Sequence, residues 1–107
     1  MIENAKDLEY EGLIDPLENV KNEEILIFSG LLDDEVEPLN GFIMRKMFKK
    51  LGNKNVRLID YIGVDHNWVS PYGHHPCNTK VYPWIVNCGD FNLAHEIFTQ
   101  LYRNLKP

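Results

Sequence analysis

The segment that most constrains this chain is Glu24-Ile-Leu-Ile-Phe-Ser-Gly-Leu-Leu-Asp-Asp-Glu-Val-Glu-Pro38. Ile25 to Phe28 is a continuous apolar run, not an alternating one. Such a run suits a strand covered on both faces, as in a parallel sheet flanked by helices. Gly30 ends the run. Pro38 fits the first turn of a helix, where its missing N–H would have no partner in any case. The acidic loop between them, Asp33-Asp34-Glu35, then falls beyond the carboxyl end of a strand, the place where open α/β sheets keep their chemistry. Taken alone, three acids at a loop tip read first as a solvated surface loop.

The other elements arrange themselves around that strand. Asn4–Glu11 reads as the last turns of a helix closed by Gly12, a residue that accepts the left-handed conformation. Leu13–Lys21, with Asp15-Pro16 inside it, is a connector. The pattern predicts a strand over Glu24–Ser29 and a helix over Pro38–Leu51. In that helix Leu39, Phe42, Ile43, Met47 and Leu51 share one face, expected to be core, and Arg45, Lys46, Lys49 and Lys50 come late, favourable to the helix dipole. Gly52-Asn53 breaks it. Val56–Ile62, rich in Val, Ile and Tyr, predicts a second strand. Strand, helix and strand in this order make a βαβ unit with parallel strands and a right-handed crossover. Gly63–Gly89 reads as long and irregular and holds three of the six prolines; loops of that length are functional, disordered or stapled. A last helix is expected over Phe91–Leu105, with Ala94, Ile97, Phe98, Leu101 and Leu105 on one face.

Two parallel strands and two or three amphipathic helices cannot cover one another on both faces. Such a pair also leaves open sheet edges, which native proteins normally cover. The expected fold is therefore α/β, the C-terminal part of a larger sheet, incomplete as an independent domain. With 107 residues, 44% hydrophobic and 25% charged, the chain holds at most one domain. A formal net charge of −5 argues against nucleic acid or an anionic membrane as partner, because both select a basic face. No apolar run approaches the ~18 residues of a membrane span. The polar start Met1-Ile-Glu-Asn-Ala-Lys-Asp7 predicts no signal peptide in this chain. Cys77 and Cys88 allow one disulfide and fix no compartment by themselves.

The chemistry lies past the two strand ends. Asp33 follows the first strand, and His66, in Gly63-Val-Asp-His66, follows the second. In α/β hydrolases the catalytic triad runs Ser, then Asp or Glu, then His along the chain, with the last two in loops of this kind. The acid orients the imidazole, and the imidazole moves the serine proton. A lone histidine in a loop is commonly a surface or structural residue; the ordered acid-then-histidine placement is what favours function. The nucleophile is missing. Only Ser29 and Ser70 are present, neither in a Gly-x-Ser-x-Gly elbow, so the serine is expected upstream of Met1.

These segments carry a specific resemblance. Ile27-Phe-Ser-Gly30 with Asp33, Val36 and Pro38 resembles the Phe-Ser-Gly-x-x-Asp-x-x-Val-x-Pro segment of extracellular poly(3-hydroxybutyrate) depolymerases and related α/β-hydrolase esterases. Tyr10-Glu-Gly-Leu-Ile-Asp15 with Asn19 is similar to the family's lead-in. Cys77 followed by Tyr82-Pro-Trp-Ile-Val-Asn-Cys-Gly89 is similar to its Cys and Ser-Pro-Tyr-Ile-x-Asn-Cys-Gly, and Leu101-Tyr102 through Pro107 to its Leu-Tyr-Gly-x-Leu-Asn-Pro. The resemblance covers nearly the whole chain, residues 1–107, as the C-terminal portion of one α/β-hydrolase catalytic domain. It implies Asp33 and His66 as triad members, a Cys77–Cys88 disulfide, secretion, no metal or other cofactor, and a polyester or short hydroxyacid ester as substrate. The N-terminal half of the same domain is the implied partner. The chain departs from the family's Ala-Gly-His-x-x-Pro-Thr around the histidine, reading Val64-Asp-His66-Asn-Trp-Val-Ser-Pro71 with Asp65 where the family has glycine, and Leu31 replaces a small polar residue.

Three other constellations compete with this reading. His66, His74, His75, Cys77 and Cys88 suggest zinc, but adjacent His74-His75 lack the usual ligand spacing and the cysteines lie too far apart for a structural site. Trp68, Tyr72, Tyr82 and Trp84 are expected mainly in the core, although a mouth lined with aromatics suits an apolar polyester. A reactive Cys77 would need a lowered pKa for which the sequence gives no cause. The alternative from a different class is a non-catalytic hydrolase-like module that binds a partner or ligand.

Overall fold

The computed structural model describes residues 1–102. The elements in order are α1 (Ile2–Tyr10), a 3-10 turn (Leu17–Val20), β1 (Ile25–Phe28), α2 (Pro38–Lys50), β2 (Val56–Ile59), β3 (Trp68–Val69), β4 (His75–Pro76), β5 (Ile85–Asn87) and α3 (Leu93–Leu101). Leu105 and the rest of the family-like ending past Tyr102 lie outside the described residues.

The βαβ unit forms as its pattern requires. β1 and β2 pair in parallel, with Ile25 opposite Val56 and Phe28 opposite Ile59, and α2 connects them and packs on both. Gly12, at φ 72, closes α1 with its N–H on Glu9 O while Leu13 N–H reaches Leu8 O. Pro38 opens α2, and Lys49 and Lys50 occupy its last turn. The buried Asn53 side chain donates to Val20 O at 2.6 Å and Glu23 O at 2.9 Å, which fixes the connector ahead of β1. Asn92 caps α3 by accepting from His95 N–H. α3 lies against β1, and Gln100 joins it to Glu24 and to Asn55 O, while Arg57 and Glu96 pair at 2.7 Å.

Four expectations are corrected. The second strand stops at Ile59 rather than Ile62, because the backbone from there turns toward the acidic loop, where Leu31 N–H donates to Ile62 O at 2.8 Å. The stretch 63–89 is mostly loop but not wholly irregular: β3, β5 and β4 form a parallel three-stranded sheet in that spatial order. Strands of two or three residues are too short to display any period in sequence. One buried cluster, Val64, Val69, Val86 and Leu93, forms around this sheet with Phe28, Ile62, Phe91 and Ile97 packed against it, and Ile27, Leu58 and Ile59 are buried in the β1–β2 pair. Trp68, Trp84, Tyr72 and Tyr82, expected mainly in the core, are all exposed.

The fourth correction concerns the helices. Leu39 is 60% and Phe42 45% exposed, and the only fully buried position of α2 is Gly41, which faces Ser29 and Leu58. In α3, Phe98 and Leu101 are exposed, while Leu93 and Gln100 are buried. The apolar stripes thus outnumber the surfaces available to cover them. The radius of gyration, 16.2 Å, exceeds the ~13 Å of a compact domain of this length. The accessible area, 7659 Å², likewise exceeds the roughly 6,200 Å² of a folded monomer of this mass. Both values describe an open α/β arrangement whose apolar stripes its own elements do not cover.

Candidate active site

Gly30 creates the site. A Cβ there would lie 2.3 Å from Val64 O and 2.9 Å from Asp65 O. Only glycine therefore lets the backbone after β2 cross directly over the end of β1. Leu31 N–H to Ile62 O and Leu32 N–H to Val64 O, at 3.0 Å, then tie the two loops together. The residues that follow, Asp33 and His66, are brought face to face.

Of the three loop acids, Asp33 is the one that meets the His66 ring. Its Oδ1 accepts from the N–H groups of both Glu35 and Val36 at 2.9 Å, a side-chain turn that fixes the carboxylate. Its Oδ2 lies 2.9 Å from His66 Nδ1. The Asp33 side chain is 8% exposed, the His66 ring 59%. Burial pushes the Asp33 pKa up, but the Val36 N–H, the His66 ring and the Glu35 N–H together outweigh it and hold the carboxyl below the ordinary value of 3.8. An ionised Asp33 makes Nδ1 the donor, which leaves Nε2 as the acceptor of a neutral ring. Asp65, the extra carboxylate, is engaged locally: its Oδ1 accepts from His66 N–H at 2.7 Å.

A groove of about 1070 Å³ opens beside the pair. Leu26, Phe28, Val36, Trp68, Pro83, Trp84 and Ile85 give it an apolar wall, and Asp33, His66, Ser29 and Lys80 reach it. Trp84 has φ 64, a left-handed conformation uncommon for so large a residue; its N–H donates to Val81 O and its carbonyl accepts from Trp68 N–H. Nothing in the sequence marks that conformation. Ser29 is buried, with its N–H on Ile59 O, and Ser70 Oγ accepts from Tyr72 N–H.

Cys77 and Cys88, just past β4 and β5, are joined in a disulfide with Cα atoms 4.6 Å apart. Their sulfurs are thereby withdrawn from any zinc set with His66, His74 and His75. Among the described residues no group of three or more His, Cys, Asp or Glu side chains is arranged to hold a metal ion. No helix of the described residues is long and apolar enough to cross a membrane.

One side chain that sequence reasoning missed is Lys80. Its Nζ lies 2.5 Å from Asp34 Oδ1, 3.3 Å from Glu35 Oε1 and 4.0 Å from Asp65 Oδ2. Asp34 and Glu35, read from the sequence as free surface acids, are ion-paired instead. No local spacing signals a contact across 46 residues.

The parallel pair, the acid after β1 and the histidine after β2 place the chain in the α/β-hydrolase class, as part of such a domain. A chain in the crystal structure of PHB depolymerase from Penicillium funiculosum has the same fold over 88% of this chain, with TM-score 0.78 and 21% identity. In sequence, the chain is 31% identical over 96 residues, 89% of its length, to the poly(3-hydroxybutyrate) depolymerase of Delftia acidovorans. The chain is a poly(3-hydroxybutyrate) depolymerase-like sequence. It spans 19% of the Delftia protein and 30% of the Penicillium chain. No family model matches it.

Proposed function

We propose that residues 1–107 are the C-terminal portion of one α/β-hydrolase catalytic domain, belonging to a serine esterase that acts on polyhydroxybutyrate or short hydroxyacid esters. Asp33 and His66 supply its acid and base, and the serine comes from the N-terminal half of the same domain. The observation that carries this reading is the 2.9 Å contact between His66 Nδ1 and Asp33 Oδ2, with the other Asp33 oxygen held by two backbone N–H groups. Both related proteins are poly(3-hydroxybutyrate) depolymerases by name.

The chemistry follows from the tautomer. Nε2 accepts the serine hydroxyl proton as the serine oxygen bonds to the ester carbonyl carbon, and Asp33 stabilises the imidazolium that forms. The imidazolium then protonates the departing alcohol oxygen as the ester C–O bond breaks, leaving an acyl-enzyme. Water, deprotonated by the same ring, then bonds to the acyl carbon; the bond from that carbon to the serine oxygen breaks, the imidazolium returns the proton to the serine oxygen, and the acid leaves. Nothing in this cycle requires a metal or organic cofactor. The apolar groove suits the aliphatic backbone of a polyester. The Cys77–Cys88 bond fits an extracellular, oxidising location.

The test is a p-nitrophenyl ester assay on the chain alone and on the chain joined to the upstream half, with a serine-directed phosphonate as control. The chain alone is expected to be inactive, since an acid and a base without their nucleophile have no acyl-enzyme route. The joined protein is expected to hydrolyse the ester and to be blocked by the phosphonate. Phosphonate-sensitive turnover by the lone chain would refute the reading and point to Ser29 or Ser70. An inactive joined protein that still carries an elbow serine would favour the non-catalytic binding module.

A further inference from the structure

Lys80 touches neither Asp33 nor His66 directly in any hydrogen bond, yet it bridges the residues next to each of them. Asp34 adjoins Asp33 in the loop after β1, and Asp65 adjoins His66 in the loop after β2. Glu35, whose N–H bonds the Asp33 carboxylate, is the third partner. Lys80 therefore spans the two loops whose relative position sets the Asp33–His66 distance. We propose that Lys80 is a positioning residue of the Asp33–His66 pair, clamping the acid loop to the histidine loop through carboxylates on both. The inference rests on the function proposed above.

Charge makes the clamp necessary. Four carboxylates, Asp33, Asp34, Glu35 and Asp65, crowd the two loops, and Lys80 is the one Lys or Arg among the described residues that lines the groove they border. Leu93 and Ile97, reaching the groove from α3, bring no charge. Without Lys80, like charges on the two loops face each other and push them apart. Asp65 Oδ1 also holds the His66 backbone N–H, so a displacement of Asp65 carries the histidine with it. The platform under Lys80 is itself fixed, because its segment runs between Cys77 and Cys88 and the disulfide joins its ends. The Asp34 contact, first among the influences on Lys80, raises the lysine's pKa, and Lys80 in turn lowers that of Asp34. Single exposed ion pairs contribute little; a cation shared among three acids on two loops constrains geometry more than any one pair.

The experiment follows the His66 Nδ1 proton by NMR in the 107-residue chain joined to the upstream half, at low ionic strength, with His66→Ala identifying the signal and its exchange with water as the readout. Lys80→Gln is expected to speed that exchange about threefold to tenfold, in line with a partly exposed charge network. Lys80→Arg should stay near wild type, because a guanidinium can bridge the same oxygens. In a chain carrying Asp34→Asn, Glu35→Gln and Asp65→Asn together, Lys80→Gln should add nothing. If Lys80→Gln does not fold, wild type alone decides: raising salt to about 1 M, where the Debye length is about 3 Å, should speed exchange in the same way. Exchange that responds neither to Lys80→Gln nor to salt overturns the clamp while leaving the Asp33–His66 bond standing. A wild-type joined protein that folds but shows no such proton overturns the bond, and the proposed function with it.

Discussion

Replacing Gly30 with alanine should damage this protein more than its single added methyl suggests. The new Cβ would sit 2.3 Å from Val64 O and 2.9 Å from Asp65 O, both backbone atoms that cannot rotate away. Carbon-to-carbonyl contacts settle near 3.3 Å or longer, so the histidine loop must withdraw by about 1 Å. Val64 is fully buried, and the Leu31–Ile62 and Leu32–Val64 backbone bonds hold the loop where it is. Overpacking of this kind costs about 1–3 kcal/mol, and weakening two hydrogen bonds adds about 1 kcal/mol more. With a slope of about 1 kcal/mol per molar urea for a small chain, the midpoint should fall by roughly 2 M or more. Gly63→Ala is the control: its Cβ would meet nothing within 4 Å, so its midpoint should stay near wild type. In the joined enzyme, a 1 Å displacement of His66 should lower kcat roughly 10²-fold. Equal urea midpoints for Gly30→Ala and Gly63→Ala would refute the close-approach reasoning.

Further expectations concern the pair and its surroundings. In the joined enzyme His66→Ala should abolish ester turnover, and Asp33→Asn should lower kcat by roughly 10⁴; Asp34→Asn and Glu35→Gln, measured in the same assay, should each stay within about tenfold, since Lys80 keeps two of its three partners. A damaging Asp34→Asn with a silent Asp33→Asn would reverse the assignment of the acid. Asp33 has a folded pKa below its ordinary 3.8, so on acidification the unfolded chain takes up that proton first. Its contribution to stability is therefore complete above the ordinary value and lost as pH falls through the depressed one, and urea midpoints taken across that window should show a slope that Asp33→Asn removes. Reducing the Cys77–Cys88 bond, or replacing both cysteines with serine, should cost roughly 3 kcal/mol in the chain-entropy model for so short a loop, read as a lower urea midpoint.

Local chemistry was enough to announce several parts of this protein. The unbroken apolar run at Ile25–Phe28, Pro38 at a helix start and Gly12 at a helix end are short-range signals, each resolved within a few residues, and the βαβ unit follows from their order. The placement of an acid and a histidine beyond successive strands was legible for the same reason. Asp33 could not be separated from Asp34 and Glu35 by order alone. That choice depends on which carboxylate the turned backbone presents to His66, and on Lys80 arriving from 46 residues away. Gly30 was visible as a strand end, but the passage of Val64 across it is a contact between two loops that no local pattern encodes. Helical periodicity marked the apolar faces of α2 and α3 without saying what covers them. Leu39, Phe42, Phe98 and Leu101 remain exposed because burial depends on the neighbours a surface has, and the two-stranded sheet of this chain supplies too few.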